Sequence, residues 1–129
     1  IYKTILYMTK LIFHILNIIF TIFYLYPGSI LGFLIYRDFG KQPQITLDFI
    51  VSSNHVYAFA ILSFLGFFNY YKSHKYLIIC YFFSISIFFE LFHLIIPNRS
   101  FQFSDLFGNI FGVLLSLLIF ILYNFWRKK

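Results

Sequence analysis

Acids are scarce in this chain, with four Asp and Glu against ten Lys and Arg, and one of them, Glu90, lies inside an otherwise apolar stretch. A carboxylate in the middle of a membrane-spanning helix costs on the order of 2.5–3.5 kcal/mol, so it faces a bundle interior or a wet cavity. At 100° per residue, Ser86, Glu90, His93 and Pro97 fall within about 60° of one another. The following apolar segment gathers Asp105, Gly108, Asn109, Gly112 and Ser116 within about 100°. His55 opens the segment before them, and Arg99 stands in the connection between the two stripes. His55, Glu90, His93, Arg99, Asp105 and Asn109 are therefore expected to converge at one end of a helix bundle, as a candidate ligand-binding cluster.

Three chemistries suit such a set. A planar guanidinium at head-group depth suits a phosphate. A carboxylate beside imidazoles suits general acid–base work, with Glu90 or His55 as base. Imidazole and carboxylate together also suit a divalent metal, but no compact motif such as HExxH is present, and no metal or cofactor is expected. Ser104 lacks the context of a nucleophile elbow. Plainer roles compete at each position. Glu90 and Arg99 would make a structural ion pair, Asp105 or Ser104 would cap a helix, and His14 and Asn17 would bond between helices. His74 is expected to be only a loop residue.

The elements that position these residues follow from composition. Of 129 residues 61% are hydrophobic and 11% are charged, against roughly 25% charged in soluble domains. The apolar runs are too long for buried strands and lack period-two alternation, which leaves spanning helices. The predicted fold is a single domain, residues 1–129, forming an all-α bundle of four transmembrane helices at about 11–26, 55–71, 76–96 and 105–126. A short interfacial or re-entrant piece, residues 29–36, follows the Pro27-Gly28 break. Gly108 and Gly112, extended to Ser116, form a small-residue stripe that lets another helix approach closely.

The net charge of +6 arises from basic residues at helix ends and short loops, which reads as topology and not as a nucleic-acid footprint. Lys3, Lys10, Lys72, Lys75, Arg127, Lys128 and Lys129 fall on one side; Arg37, Lys41 and Arg99 fall on the other. This bias predicts cytoplasmic termini and an outward-facing polar cluster. The aromatic share of 26% comes with many Ile, Asn and Lys, a codon-bias pattern more than a ligand cage. The single cysteine, Cys80, allows no intrachain disulfide. The chain opens on Ile, and its first apolar segment lacks a cleavage pattern, so that segment is expected to be retained.

The stretch ELFHLIIPNRSFQFSDLFGNIFG, residues 90–112, resembles the VanZ-like family, whose pattern is Glu, Gln three residues on, Pro, Arg, Ser-Asp, Asn and Gly. Glu90, Pro97, Arg99, Ser104, Asp105, Asn109 and Gly112 match it. Ser52-Ser53-Asn54-His55 followed by Phe59 resembles the helix-opening His of that family. His93 replaces the usual Gln, and Asn54 stands where a Lys commonly precedes the His. The resemblance implies a small integral membrane protein of the bacterial cell envelope and plasma membrane, in a family named for a member associated with resistance to the antibiotic teicoplanin. It implies no established reaction. Three readings follow. One is binding of an anionic lipid or lipid-linked cell-wall precursor at the outward cluster; the others are a membrane enzyme acting on a lipid head group, and an accessory or scaffold subunit of a larger membrane complex.

Overall fold

No proline or glycine interrupts residues 2–25, and they form one helix, α1 (Tyr2–Leu25), in the computed structural model, which describes residues 1–128. Pro27 pushes its neighbour Tyr26 into extended backbone, φ −66° and ψ 138°, and ends the helix there. Helix α2 (Ile30–Tyr36) follows, its first turn capped by the Ser29 hydroxyl, which accepts the Gly32 N–H at 2.9 Å. Arg37, left-handed at φ 57°, closes it.

Three more helices complete the described residues: α3 (Ser53–Tyr70), α4 (Lys75–Phe92) and α5 (Phe103–Arg127). The first turn of α3 is held by Asp48, whose Oδ1 accepts the Ser53 N–H at 2.9 Å. That bond keeps the exposed Asp48 carboxyl below its ordinary pKa, so its contribution is present at neutral pH and fades as acid protonates it. Helix α4 stops at Phe92, four residues short of the expected edge at residue 96. The amides of His93, Leu94 and Ile95 turn back to carbonyls three residues earlier, a tightening that accommodates Pro97.

Polar contacts between helices fix their directions. Thr9 meets Asn69 and Tyr24 meets His55, so α1 and α3 are antiparallel. Asn17 meets Tyr81 and Tyr24 meets Glu90, so α1 and α4 are parallel. Ser86 meets Asn109 and Glu90 meets Gln102, so α4 and α5 are antiparallel. The four longer helices thus alternate in direction, with a short turn between α3 and α4 and a long connection, carrying α2, between α1 and α3. Helix α3 lies close against α5: a Cβ on Gly108 would stand 2.8 Å from the Ser52 carbonyl oxygen, and one on Gly112 would stand 2.5 Å from that of Val56. The core is aromatic, with Phe59, Phe67 and Phe82 fully buried beside Val113.

Outward faces are apolar. Ile15, Ile18 and Ile22 of α1 and Leu114, Leu118 and Leu122 of α5 are all exposed, the surface expected of helices whose solvent is hydrocarbon. By length and composition α1, α4 and α5 are apolar enough to cross a membrane; α3 is not among them. Its ends carry Ser53, Asn54, His55 and Asn69. An inner helix can hold such groups because its neighbours pair them: Asn69 meets Thr9, and Ser53 meets Asp48. The basic residue Lys129, one of those expected at the cytoplasmic side, lies outside the described residues.

Candidate functional site

At the end of the bundle where α1 and α4 finish and α3 and α5 begin, a tyrosine hydroxyl joins three helices to a fourth. Tyr24, on the last turn of α1, donates its O–H to Glu90 Oε2 at 2.7 Å. It accepts the Asn109 amide N–H at 2.7 Å and lies 2.9 Å from His55 Nδ1. Glu90 and Asn109 are completely buried, and His93 is nearly so. Buried polar groups of this kind must be satisfied by partners, and here they are. Glu90 Oε1 accepts the Gln102 backbone N–H at 2.9 Å, and Oε2 also faces His93 Nδ1 at 3.2 Å.

The orientation of every group can be traced to a backbone carbonyl. The Asn109 amide nitrogen donates to the Ser86 carbonyl at 3.0 Å, so its oxygen must point the other way, to His55 Nδ1 at 2.8 Å. An amide oxygen only accepts, hence His55 carries its proton on Nδ1. The opposite ring nitrogen, Nε2, faces Asp105 Oδ2 at 3.6 Å. His93 is fixed in the same way: its Nε2 donates to the Tyr24 carbonyl at 2.9 Å, while its ring stacks on Tyr24 with centroids 4.9 Å apart. Nδ1 is therefore the ring nitrogen that His93 turns to Glu90.

The structure brings His55, Glu90, His93, Asp105 and Asn109 together around Tyr24. Arg99 lies at the edge of this group and makes a different set of bonds. Its Nε donates to the Tyr26 carbonyl at 2.9 Å, and its Nη2 donates to those of Phe23 and Gly28 at 3.1 and 2.6 Å. No Glu90–Arg99 ion pair forms among the described residues; the guanidinium instead binds the Phe23 carbonyl in the last turn of α1 and those of Tyr26 and Gly28 just beyond it, where a cation is favoured. Burial pulls its pKa below the ordinary arginine value, and Glu90 and Asp105 oppose that shift. Asp105 takes part in the site through His55, within the first turn of α5.

Because hydrogen bonds to charged groups contribute about 1.5–3 kcal/mol each and do not add fully, Arg99→Ala should cost about 2–3 kcal/mol of unfolding free energy, measured by SDS titration of the purified protein. Arg99→Lys, which keeps the charge but loses the fork, should recover less than half of that. Full recovery would mean that charge alone holds the turn.

Two cavities meet at this cluster. A groove of about 320 Å³ runs between α1 and α3, walled by Leu16, Phe20, Ala58, Ile61 and Leu65 and ending at Asn54, His55, His93 and Arg99. A polar chamber of about 420 Å³ lies beyond, bounded by Ser29, Asn98, Gln102 and Asp105. Gln42, His93 and Arg99 border both. Beside the groove, α1 meets its neighbours through polar rungs, Thr9 to Asn69, His14 to Tyr70 and Asn17 to Tyr81, and through the rings of Phe13 and Phe20, which pack on Phe82 and Phe59. Its apolar flank is left open.

Sequence reasoning did not single out Tyr24, Ser86 as Asn109's acceptor, Gln102 or Gln42. A signal for Tyr24 existed, since seven residues after Asn17 it lies about 20° from it on the same polar stripe. Gln102 acts through its backbone, which side-chain type does not reveal.

A family model described as VanZ/LLP1 matches residues 3–124 of the chain. No curated protein and no solved structure matches it.

Proposed function

The chain belongs to the VanZ-like family, and on that premise we propose that it binds a membrane amphiphile, an anionic lipid or a lipid-linked cell-wall precursor, with its tail in the α1–α3 groove and its head in the polar chamber. The observation that carries this reading is the junction: an apolar channel opens into a polar one, and Arg99, His93 and Gln42 stand at the boundary. A tail needs apolar walls, and an anionic head needs donors at one end. Arg99 serves the head through Nη1, the guanidinium nitrogen not committed to the α1 carbonyls.

In this reading the chain is a multi-pass protein of the bacterial plasma membrane with four spans. Helix α3 is the fourth: eighteen residues reach about 27 Å, and its polar ends are paired by its neighbours. The charge bias places both termini in the cytoplasm and the cluster outside. A cell-wall precursor held there would also fit the teicoplanin resistance associated with the member for which the family is named. The dense Tyr24, His55, Glu90 and Asn109 network beside the chamber favours, as second reading, an enzyme acting on the head group.

Filling the groove tests the binding reading. Ala58 is half-buried on its wall, so Ala58→Trp should reduce the lipid retained in native mass spectrometry at least tenfold while leaving helical content unchanged. Leu118→Trp, on an exposed face of α5, should retain it. Equal lipid on both variants would refute binding in this groove.

A further inference from the structure

We propose that His55, Glu90 and Asp105 form a binding site for one divalent transition-metal ion, with Zn²⁺ and Mn²⁺ the chemically matched ions. One donor atom from each lies within 4.8 Å of the others, and the three residues come from α3, α4 and α5. Metal–ligand bonds of about 2.0–2.2 Å separate coordinating atoms by roughly 3.3–4.4 Å, so the side chains need only a small inward adjustment.

The hydrogen-bond network prepares each ligand. The Ser86 carbonyl orients Asn109, and Asn109 Oδ1 accepts the His55 Nδ1–H, which turns the other ring nitrogen, Nε2, toward Asp105 Oδ2 at 3.6 Å. A metal-bound histidine characteristically donates its other ring N–H to an acceptor in this way. Glu90 is held by the Gln102 N–H, the Tyr24 hydroxyl and His93; of a carboxylate's roughly four lone-pair directions, one remains for a metal.

Charge points the same way. Two carboxylates stand at the site, and Arg99, which feels both, has its Nε and Nη2 on backbone carbonyls and not on either of them. Asp105 and Gln102 border the polar chamber, which gives a hydrated ion a route in. One imidazole and two carboxylates fit zinc or manganese better than calcium, which takes six to eight oxygens, or magnesium, which sheds water reluctantly. The sequence already placed these three residues in one cluster, but with its members on three helices and no local motif it gave no expectation of a metal.

The site is tested with the full chain in detergent, stripped by chelator and dialysed against Zn²⁺, Mn²⁺ or Mg²⁺, with bound metal measured by mass spectrometry and affinity by titration. Wild type and the exposed-loop control His74→Ala should retain about one equivalent of Zn²⁺ or Mn²⁺, and not of Mg²⁺. His55→Ala and the isosteric Asp105→Asn should bind at least tenfold more weakly. Asn109→Leu, which removes no proposed ligand but takes away the acceptor that orients the imidazole and a donor to Tyr24, should lose about 10–100-fold, with folding of every variant checked by circular dichroism. Folded wild type without stoichiometric metal would overturn the proposal, and so would unchanged affinity in folded Asp105→Asn. A proton on Nε2, making a His55–Asp105 ion pair, would then take the cation's place. The amphiphile reading rests on the groove and would be untouched.

Discussion

Glu90→Ala should lower the unfolding free energy of the detergent-solubilised protein by about 3–5 kcal/mol, the range for breaking a buried ionic pair from one side. The cost comes from what the carboxylate leaves behind. The Tyr24 hydroxyl, the Gln102 N–H and His93 Nδ1 all converge on it, and each buried donor left without an acceptor costs about 1–3 kcal/mol. Glu90→Gln preserves the shape and one acceptor, so it should recover about half of the loss. SDS titration followed by circular dichroism reads both. Equal stability of wild type and Glu90→Ala would mean that water reaches the pocket freely and that the network has no structural weight.

Gly112→Val should be of similar severity for a different reason. A Cβ at this position meets backbone on the facing helix, 2.5 Å from Val56 O and 3.0 Å from Ala60 N, as well as Phe59 Cβ at 3.0 Å. A flexible side chain could turn away, but helix backbone cannot, so α3 and α5 must separate. Overpacking of this kind costs about 1–3 kcal/mol, and more where backbone must move; the expectation is about 3 kcal/mol or above. The change also pries His55 away from Asn109, because Gly108, one turn earlier, packs on the His55 Cβ. Lipid retention should therefore fall with stability. In Ala58→Trp the two should part.

Much of the helical layout could be read from the sequence because hydrocarbon as solvent leaves few choices. Long apolar runs must be helices, and a carboxylate within one must face inward; Glu90 does so with no exposed surface. Pro27 and Pro97 mark breaks, although α4 unwinds four residues before the second one, drawn into tighter turns that composition does not show. The fate of Arg99 was not legible. Its partners are three backbone carbonyls at the end of α1, some seventy residues away in the chain, and main-chain acceptors have no sequence signature.

Tyr24 was hidden by chemistry. Among eleven tyrosines and twenty-one phenylalanines, one hydroxyl that satisfies three partners looks like another apolar ring. Helix α3 shows the opposite problem. Its polar ends lower its apolar character, yet those same groups join it to α1, α5 and the loop before it, so its place in the bundle follows from partners and not from hydropathy.

Photo-crosslinking in nanodiscs tests the α1–α3 groove as an amphiphile site most directly. An anionic phospholipid carrying a diazirine in its tail would be incorporated, activated, and its adducts located by peptide mass spectrometry. Leu16 and Ile19 on the groove are 39% and 42% exposed, and Leu114 and Leu118 on the outer face of α5 are 48% and 55% exposed, so random collision with lipid would label the second pair at least as much as the first. Adducts should concentrate on Leu16, Ile19 and Ala58, and be lost from Leu16 and Ile19 in Ala58→Trp. Labelling in proportion to exposure, unchanged in that variant, would contradict an amphiphile site in the groove.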